Sequence, residues 1–408
     1  LTLPLPRTGA GEGRLRLGYQ QSFKSRDVAY RRFAFVPPTS GWNRTMPPES
    51  LLVDARIGGT PRYFRLTELT RATDAYTAEF RVHARYAMAD APIGGRLRAV
   101  VGLRSESWAQ EVSTFDPFVP DGGVIAARLS ETDLLPCLNL TLALGAATNL
   151  RAAFSRTISR PDLRELTPFE LSQYESGWSM RGNPELRRAK LHNFDLRWES
   201  YPSGQELVAA SLFYKRLIDP IEKTLRVAGS QLREVPENGE GGHLVGGEWE
   251  ARVTLGRLAG ALRALSLAAN VTVVRSRTTL SKEGIQTSEE RPLAGQSPYL
   301  INAMLFYAPA AKRYSASILY NRAGDRLDGV GAMGLPDIYE EAQGTLDAAL
   351  TLRVGGLGVK LAAENLTDEE SLFTQQGHVV RRARKGRALS LSIARAGGAP
   401  EAVRPPQQ

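Results

Sequence analysis

The chain of 408 residues has a single cysteine, Cys137, which excludes an internal disulfide and any thiolate metal cluster. Cys137 follows Pro136 and reads as a buried small residue. The four histidines, His83, His192, His243 and His378, are too scattered for a local metal motif, so no metal site is expected. No apolar run approaches the ~20 residues of a spanning helix. The most apolar stretch, residues 134–147, is broken by Pro136, Asn139 and Thr141. Walker, His-Glu-x-x-His and Gly-x-Ser-x-Gly patterns are missing. Residues Gly329, Gly331 and Gly334 match a dinucleotide fingerprint in form only. That fingerprint needs a helix after it, and Leu335-Pro336 follows instead. A flexible loop is expected there, and with no catalytic constellation and no cofactor site the chain is not read as an enzyme. Leu1 to Pro6 carries neither an initiator Met nor the regions of a signal peptide, so a processed chain or a fragment is expected.

What the sequence does have is alternation. Along Tyr299–Tyr307 one face carries Tyr299, Ile301, Ala303, Leu305 and Tyr307. Eight steps at ~3.3 Å span roughly 26 Å, with an aromatic at each end. A strand tilted by about 40° then crosses much of an apolar band ~25 Å tall, its aromatics at the two water interfaces. Tyr314, Ala316, Ile318 and Tyr320 repeat the pattern, as do Leu346 through Val354 and Leu265 through Val273. Phe80, Val82, Ala84, Tyr86 and Met88 alternate with Glu79, Arg81, His83 and Arg85. Period two is the strand signal. A soluble sheet with one wet face alternates in the same way.

The connections separate the two. Short ones near residues 91–95, 145–148, 202–205, 258–261, 309–312 and 355–356 take turns with long ones. The long ones lie near residues 30–71, 115–124, 161–188, 223–242, 281–296, 327–342 and 370–384. Gly, Pro and polar residues dominate both sets. Short turns at one end and long loops at the other is the arrangement of an outer-membrane barrel. The fold class read from the sequence is therefore all-β, a transmembrane antiparallel up-and-down β-barrel of roughly fourteen strands. Long loops are expected outside the cell and both termini on the periplasmic side. A formal charge of +9 comes from 52 Lys and Arg against 43 Asp and Glu. The arginines are spread over strands and loops rather than gathered on a basic helix, so nucleic acid is not an expected partner. An anionic ligand fits the balance, and so does a solvated lattice of charge.

Several segments carry a family resemblance. Residues 149–162, reading Asn-Leu-Arg-Ala-Ala-Phe-Ser-Arg-Thr-Ile-Ser-Arg-Pro-Asp, look like a strand and loop entry of TonB-dependent outer-membrane receptors. Gly182-Asn183-Pro184-Glu185-Leu186 with Phe194-Asp195-Leu196 resembles their next strand, and Leu212-Phe213-Tyr214-Lys215 with Ile218-Asp219-Pro220-Ile221 the one after. Pro292 to Pro298, Ala363 to Asp368 and Gly386-Arg387 also match, in family order. The resemblance implies a barrel of about 22 strands closed by an N-terminal plug. It also implies TonB-energised uptake of a scarce nutrient such as a siderophore-iron complex, a vitamin or an oligosaccharide.

The chain departs from that pattern, with about eight strands too few and no plug or TonB-contacting segment visible. Residues 1–395 are therefore expected to be the C-terminal part of such a barrel, and 396–408 a disordered tail. Leu389, Leu391 and Ile393 face lipid in the last strand, while Arg395 stands where the family ends on an aromatic. The expected partners are outer-membrane lipid, the TonB complex through the absent plug, and a small nutrient. A complete passive porin and a soluble β-rich binding protein stay open as alternatives. Ligand contacts are placed on Phe169, Tyr174, Trp178 and Arg181, which combine aromatic surface with a cation. Arg275 and Arg277, at the outer end of their strand, join them as candidates.

Overall fold

The computed structural model describes residues 1–5, 11–43, 45–59, 63–115, 124–172, 178–229, 231–281, 284–310 and 313–395. Tyr174 and the expected tail at 396–408 lie outside these. One antiparallel sheet dominates, and its main path runs through fifteen strands in sequence order. They are β1 Thr2–Pro4, β2 Arg14–Ala29, β3 Ala75–Ile93, β4 Leu97–Phe115 and β5 Val124–Gly145. Next come β6 Thr148–Ser159, β7 Ala189–Ser200, β8 Leu207–Ile218, β9 Gly241–Thr254 and β10 Leu265–Thr279. The path ends with β11 Tyr299–Tyr307, β12 Tyr314–Ala323, β13 Gln343–Val354, β14 Leu357–Glu364 and β15 Ala388–Arg395. Fourteen of these correspond to the staves read from the sequence, and the three-residue β1 precedes them. Among the described residues no helix is long and apolar enough to cross a membrane, which says nothing of a β-barrel.

The segregation of loop lengths is present in the structure. At one end the turns are short, two residues each at Ala146-Ala147, between the paired Gly145 and Thr148, and at Gly355-Gly356, between the paired Val354 and Leu357. Both glycines of the second have positive φ, 54° and 80°, the two-residue turn whose twist matches the flanking strands. At the other end the long connections fold into small sheets of their own. Strands Ile221–Ala228, Gln231–Asn238, Ser179–Arg181 and Glu170–Ser172 make one of these. Arg326–Gly329, Ile338–Glu340, Glu370–Gln375 and His378–Arg384 make another. The glycine-rich stretch at 329–334 lies in this second loop group with no helix after it.

Register assigns the faces. Residues directly opposite on neighbouring strands share a side, and a shift of one residue would reverse all of them. The lipid-type face follows Phe154, Phe194 and Tyr214, then Leu196 with Leu212, then Trp198, Trp249, Val271 and Ile301. It continues through Ala303, Tyr320 and Leu346, then Leu350 with Leu361 and Leu391. Tyr299, Ile301, Ala303, Leu305 and Tyr307 all lie on it, as the alternation predicts. Leu391 and Ile393 on β15 are more than 60% exposed.

The same register corrects one stave. Ala99 and Val101 pair outward with Leu140 and Leu138, which puts Ala91, Ala89 and Ala87 of β3 outside with them. Arg85, His83, Arg81 and Glu79 continue that outward side, so Phe80, Val82, Ala84, Tyr86 and Met88 face inward. Val82 and Ala84 are buried there with Trp108. The physical reason is length. β3 and β4 have 19 residues each. At ~3.3 Å per residue they outrun a 25 Å band about twofold, so their loop-end halves have no lipid to meet. The loop-end part of that apolar face, up to Phe80, is covered from inside by a loop. Cys137 is half-buried rather than buried, on the inward side opposite Gly102.

Candidate functional site

The site is the polar interior and the loop layer over it. Inward-facing residues along the staves include Asn139, Arg151, Asn193, Arg197, Glu199, Ser211, Glu250, Asn270 and Asn302. Arg197 bridges Glu199 at 3.2 Å and Glu250 at 2.9 Å, and Arg151 donates to Glu199 at 2.6 Å. A recess of about 280 Å³ opens on this side between Glu250, Arg252, Asn270, Asn302 and Met304. Such a lining solvates a polar solute along the length of the wall.

Residues 160–188 form the best-anchored loop. Leu163, Leu166, Phe169 and Leu186 bury against Tyr76, Ala78, Val112 and Ala127 of the wall. Each end of the loop is held by an acid from a cross-strand pair, Glu106 and Asp133. Arg160 pairs with Glu106 and lies over the rings of Phe80 and Trp108, at 5.5 and 5.1 Å. Arg188 Nε donates to Asp133 at 2.7 Å, and Trp108 Nε1 donates to the same carboxylate at 2.9 Å. Gln110 Nε2 donates to the Pro161 carbonyl at 2.8 Å.

Glu170 then ties three loops together. It accepts from Arg71 at 2.9 Å and from Arg233 at 3.1 Å. Burial opposes its ionisation, but Ser179, Arg233 and Arg71 outweigh that and leave its pKa below the ordinary carboxylate value. Arg32 bonds the fully buried Asp74 at 2.6 and 2.7 Å and lies over Tyr30 and Phe169. Farther round the rim Leu225, Val330 and Ala332 form a second apolar cluster with Trp178 and Ile285 packed on it.

The candidate residues separate in space. Phe169 is a buried core residue beside Tyr30 and Tyr76. Trp178 packs across loops on the second cluster, and Arg181 is exposed on the short strand Ser179–Arg181. These three share the loop layer. Arg275 and Arg277 do not join them, because register sets both on the outward face of β10, opposite Val245 and His243.

The structure adds a residue that the sequence reading passed over. Arg291 lies opposite Thr278 on the inward side and is buried. Its Nη2 donates to the Lys223 carbonyl at 2.7 Å and to Glu222 at 3.2 Å, while Nε and Nη1 are buried without a partner. Burial pushes the Glu222 carboxyl above its ordinary value, with Arg291 acting against it. Arg291 is thus ion-paired with Glu222 through one nitrogen, while its two unpaired donors are costly to bury. The family-type segment Pro292 to Pro298 begins one residue after it, and Glu289-Glu290 before it carries no motif that marks it.

A family model described as TonB dependent receptor-like, beta-barrel, matches residues 5–366. Among curated proteins no sequence relative is found. Solved structures resemble the chain strongly in fold. The ferric-catecholate import receptor Fiu from E. coli K12 aligns with a TM-score of 0.61 at 15% identity, over 91% of this chain and 50% of that one. The ferric citrate transporter FecA gives 0.58 at 15% identity, over 91% and 49%. The ferric yersiniabactin uptake receptor FyuA from Yersinia pestis gives 0.55 at 11% identity, over 91% and 49%. The chain thus spans about half the length of these structures, and at such identities the likeness is one of fold.

Proposed function

Because the chain belongs to the family of TonB-dependent receptor β-barrels, we propose that it is the barrel portion of an outer-membrane receptor taking up an anionic ferric chelate, energised through TonB. The long-loop end faces the outside and the short turns face the periplasm. The observation that carries the ligand sign is Arg291, a buried guanidinium with two unpartnered nitrogens on the inward side beneath the loops. Ferric-chelate transport by the proteins of similar fold points the same way. In this reading Trp178 and Arg181 meet the ligand first at the loop layer. Tyr174, in the same loop, is proposed with them, and Phe169 supports them from below. Arg291 receives the acidic groups deeper in. Arg275 and Arg277 look outward and are not part of this ligand set.

The test is uptake of radiolabelled ferric chelates by whole cells whose only receptor is the product of this gene. Exchanging Trp178 and Arg181 for alanine is expected to weaken half-saturation at least about tenfold, and Arg291→Gln by roughly 10–100-fold, as loss of charge-assisted hydrogen bonds implies. Heat-modifiable gel mobility should stay unchanged in all of them. Equal competition by neutral and anionic chelates, or uptake unmoved by all three exchanges, would reject the reading.

A further inference from the structure

On the outward face five successive strands set one row of cross-strand partners side by side. The row is Arg156 on β6, His192 on β7, Arg216 on β8, His243 on β9 and Arg277 on β10. With strands ~4.8 Å apart, it is a strip roughly 19 Å long. Two positions nearer the short-turn end the same strands carry Phe154, Phe194, Tyr214, Val245 and Arg275. The rings of Phe154 and Phe194 lie 5.0 Å apart, those of Phe194 and Tyr214 6.3 Å. Beyond them come Leu196, Leu212 and Val273, all exposed. The strip therefore stands where the apolar band ends and its aromatic girdle begins, at head-group depth.

A cleft of about 540 Å³ opens on this strip, bordered by Tyr214, Arg216, His243 and Arg277 and by the acids Glu240 and Glu290. Glu290 pairs with Arg277. The balance of the face is nonetheless cationic. Arg275 lies just below Arg277, and Lys190, opposite Ile158 and Ile218, shares the face with Arg156 and Arg216. Among the described residues Arg156, Lys190, Arg216 and Arg275 have no carboxylate partner, and Arg156 Nε is buried with no hydrogen bond at all.

We propose that this strip binds the phosphorylated head group of a membrane lipid. Guanidinium groups present paired N–H donors to phosphate oxygens, and the histidine rings add further donors. The lipid's chains then lie along Leu196, Leu212 and Val273, with the Phe154–Phe194–Tyr214 row at the glycerol or sugar level. A free anion from solution would have no use for that apolar continuation. The site is independent of the ferric-chelate reading, because it faces away from the interior.

The test uses protein extracted from its own membrane in a phosphate-free detergent and weighed intact by native mass spectrometry. It is then titrated separately with detergent-dispersed phosphatidic acid and with inorganic phosphate. The wild type is expected to retain phospholipid adducts and to bind phosphatidic acid. Arg156→Gln with Arg216→Gln should lower occupancy about tenfold or more. A charge-matched control, Arg65→Gln with Arg263→Gln, should not. Should the double variant lose heat-modifiable mobility, Arg216→Gln alone serves, because that side chain is exposed. Equal occupancy in variant and control overturns the proposal. So does inorganic phosphate binding as tightly as the lipid, which would make the strip a site for free anions.

Discussion

Removing Asp133 tests whether the loop at 160–188 is clamped by charge. Its carboxylate is 5% exposed, accepts Arg188 Nε at 2.7 and 2.8 Å, and accepts Trp108 Nε1 at 2.9 Å. Asp133→Ala leaves the Trp108 N–H without its acceptor and Arg188 with Glu131 alone. Stripping one partner from a buried pair costs about 3–5 kcal/mol, and the surviving Glu131 contact argues for the lower end, about 3 kcal/mol. The opposing term is apolar. Leu163, Leu166 and Leu186 are at most 2% exposed. At about 1.5–3 kcal/mol each they supply roughly 5–9 kcal/mol of docking. The loop therefore stays docked, but it opens more often. At 1.4 kcal/mol per decade, about 3 kcal/mol raises the open fraction about 100-fold. Hydrogen exchange of detergent-solubilised protein reads this directly, since local opening and global unfolding separate by region. Amides of residues 163–186 should lose about two decades of protection, while those of β11 to β14 keep theirs. Loop protection unchanged within about threefold would refute the clamp, and an equal loss in the distant staves would refute its locality.

Two further outcomes follow from the same geometry. Arg31 and then Thr70 hold Glu68 at about 2, well below its ordinary 4.5. A depressed carboxylate contributes stability that is present above pH 4.5 and lost as pH falls toward 2. A ¹³C-carboxyl titration should find Glu68 ionised down to about pH 2, and Arg31→Gln should return it toward the ordinary value; an unmoved midpoint would show that the pair is not the cause. In a Cys137→Ala background, His83→Cys should react rapidly with a water-soluble maleimide. Leu103→Cys, outward on β4 but at lipid depth, should stay protected until detergent is added. Both positions lie on the outward face, so equal reactivity of the two in intact membranes would undo the assignment of depth along it.

How much of this was legible in the sequence depends on what each side chain meets. Tyr299 to Tyr307 reads correctly because both ends of the stave coincide with the edges of the band, so its aromatics report the boundary. The loop asymmetry reads correctly because turn chemistry is local, as at Gly355-Gly356. Phe80 to Met88 misleads because alternation says that one face is apolar, not which medium covers it. There Val82 and Ala84 are covered by Trp108 and Leu129 of neighbouring staves, and only Phe80 meets the loop cluster of Leu163, Leu166 and Phe169. Arg275 and Arg277 look like ligand contacts until register turns them outward. The row from Arg156 to Arg277 draws one residue from each of five strands, so no window of sequence contains it. Arg291 acquires its meaning only from Lys223 and Glu222, which meet it across 68 and 69 residues.

The clamp at Glu106 and Asp133 also bears on the order in which the protein assembles. These two acids are 27 positions apart and become neighbours only when β4 has zipped onto β5. Arg160 reaches Glu106 across 54 residues and Arg188 reaches Asp133 across 55. The loop thus has no anchorage until two hairpins, β4–β5 and β6–β7, stand side by side in register. Closing so long a segment before then would spend chain entropy with nothing to hold the ends. Seating of residues 160–188 is a late event, and a reporter on Leu166 would time the completion of the wall beneath it.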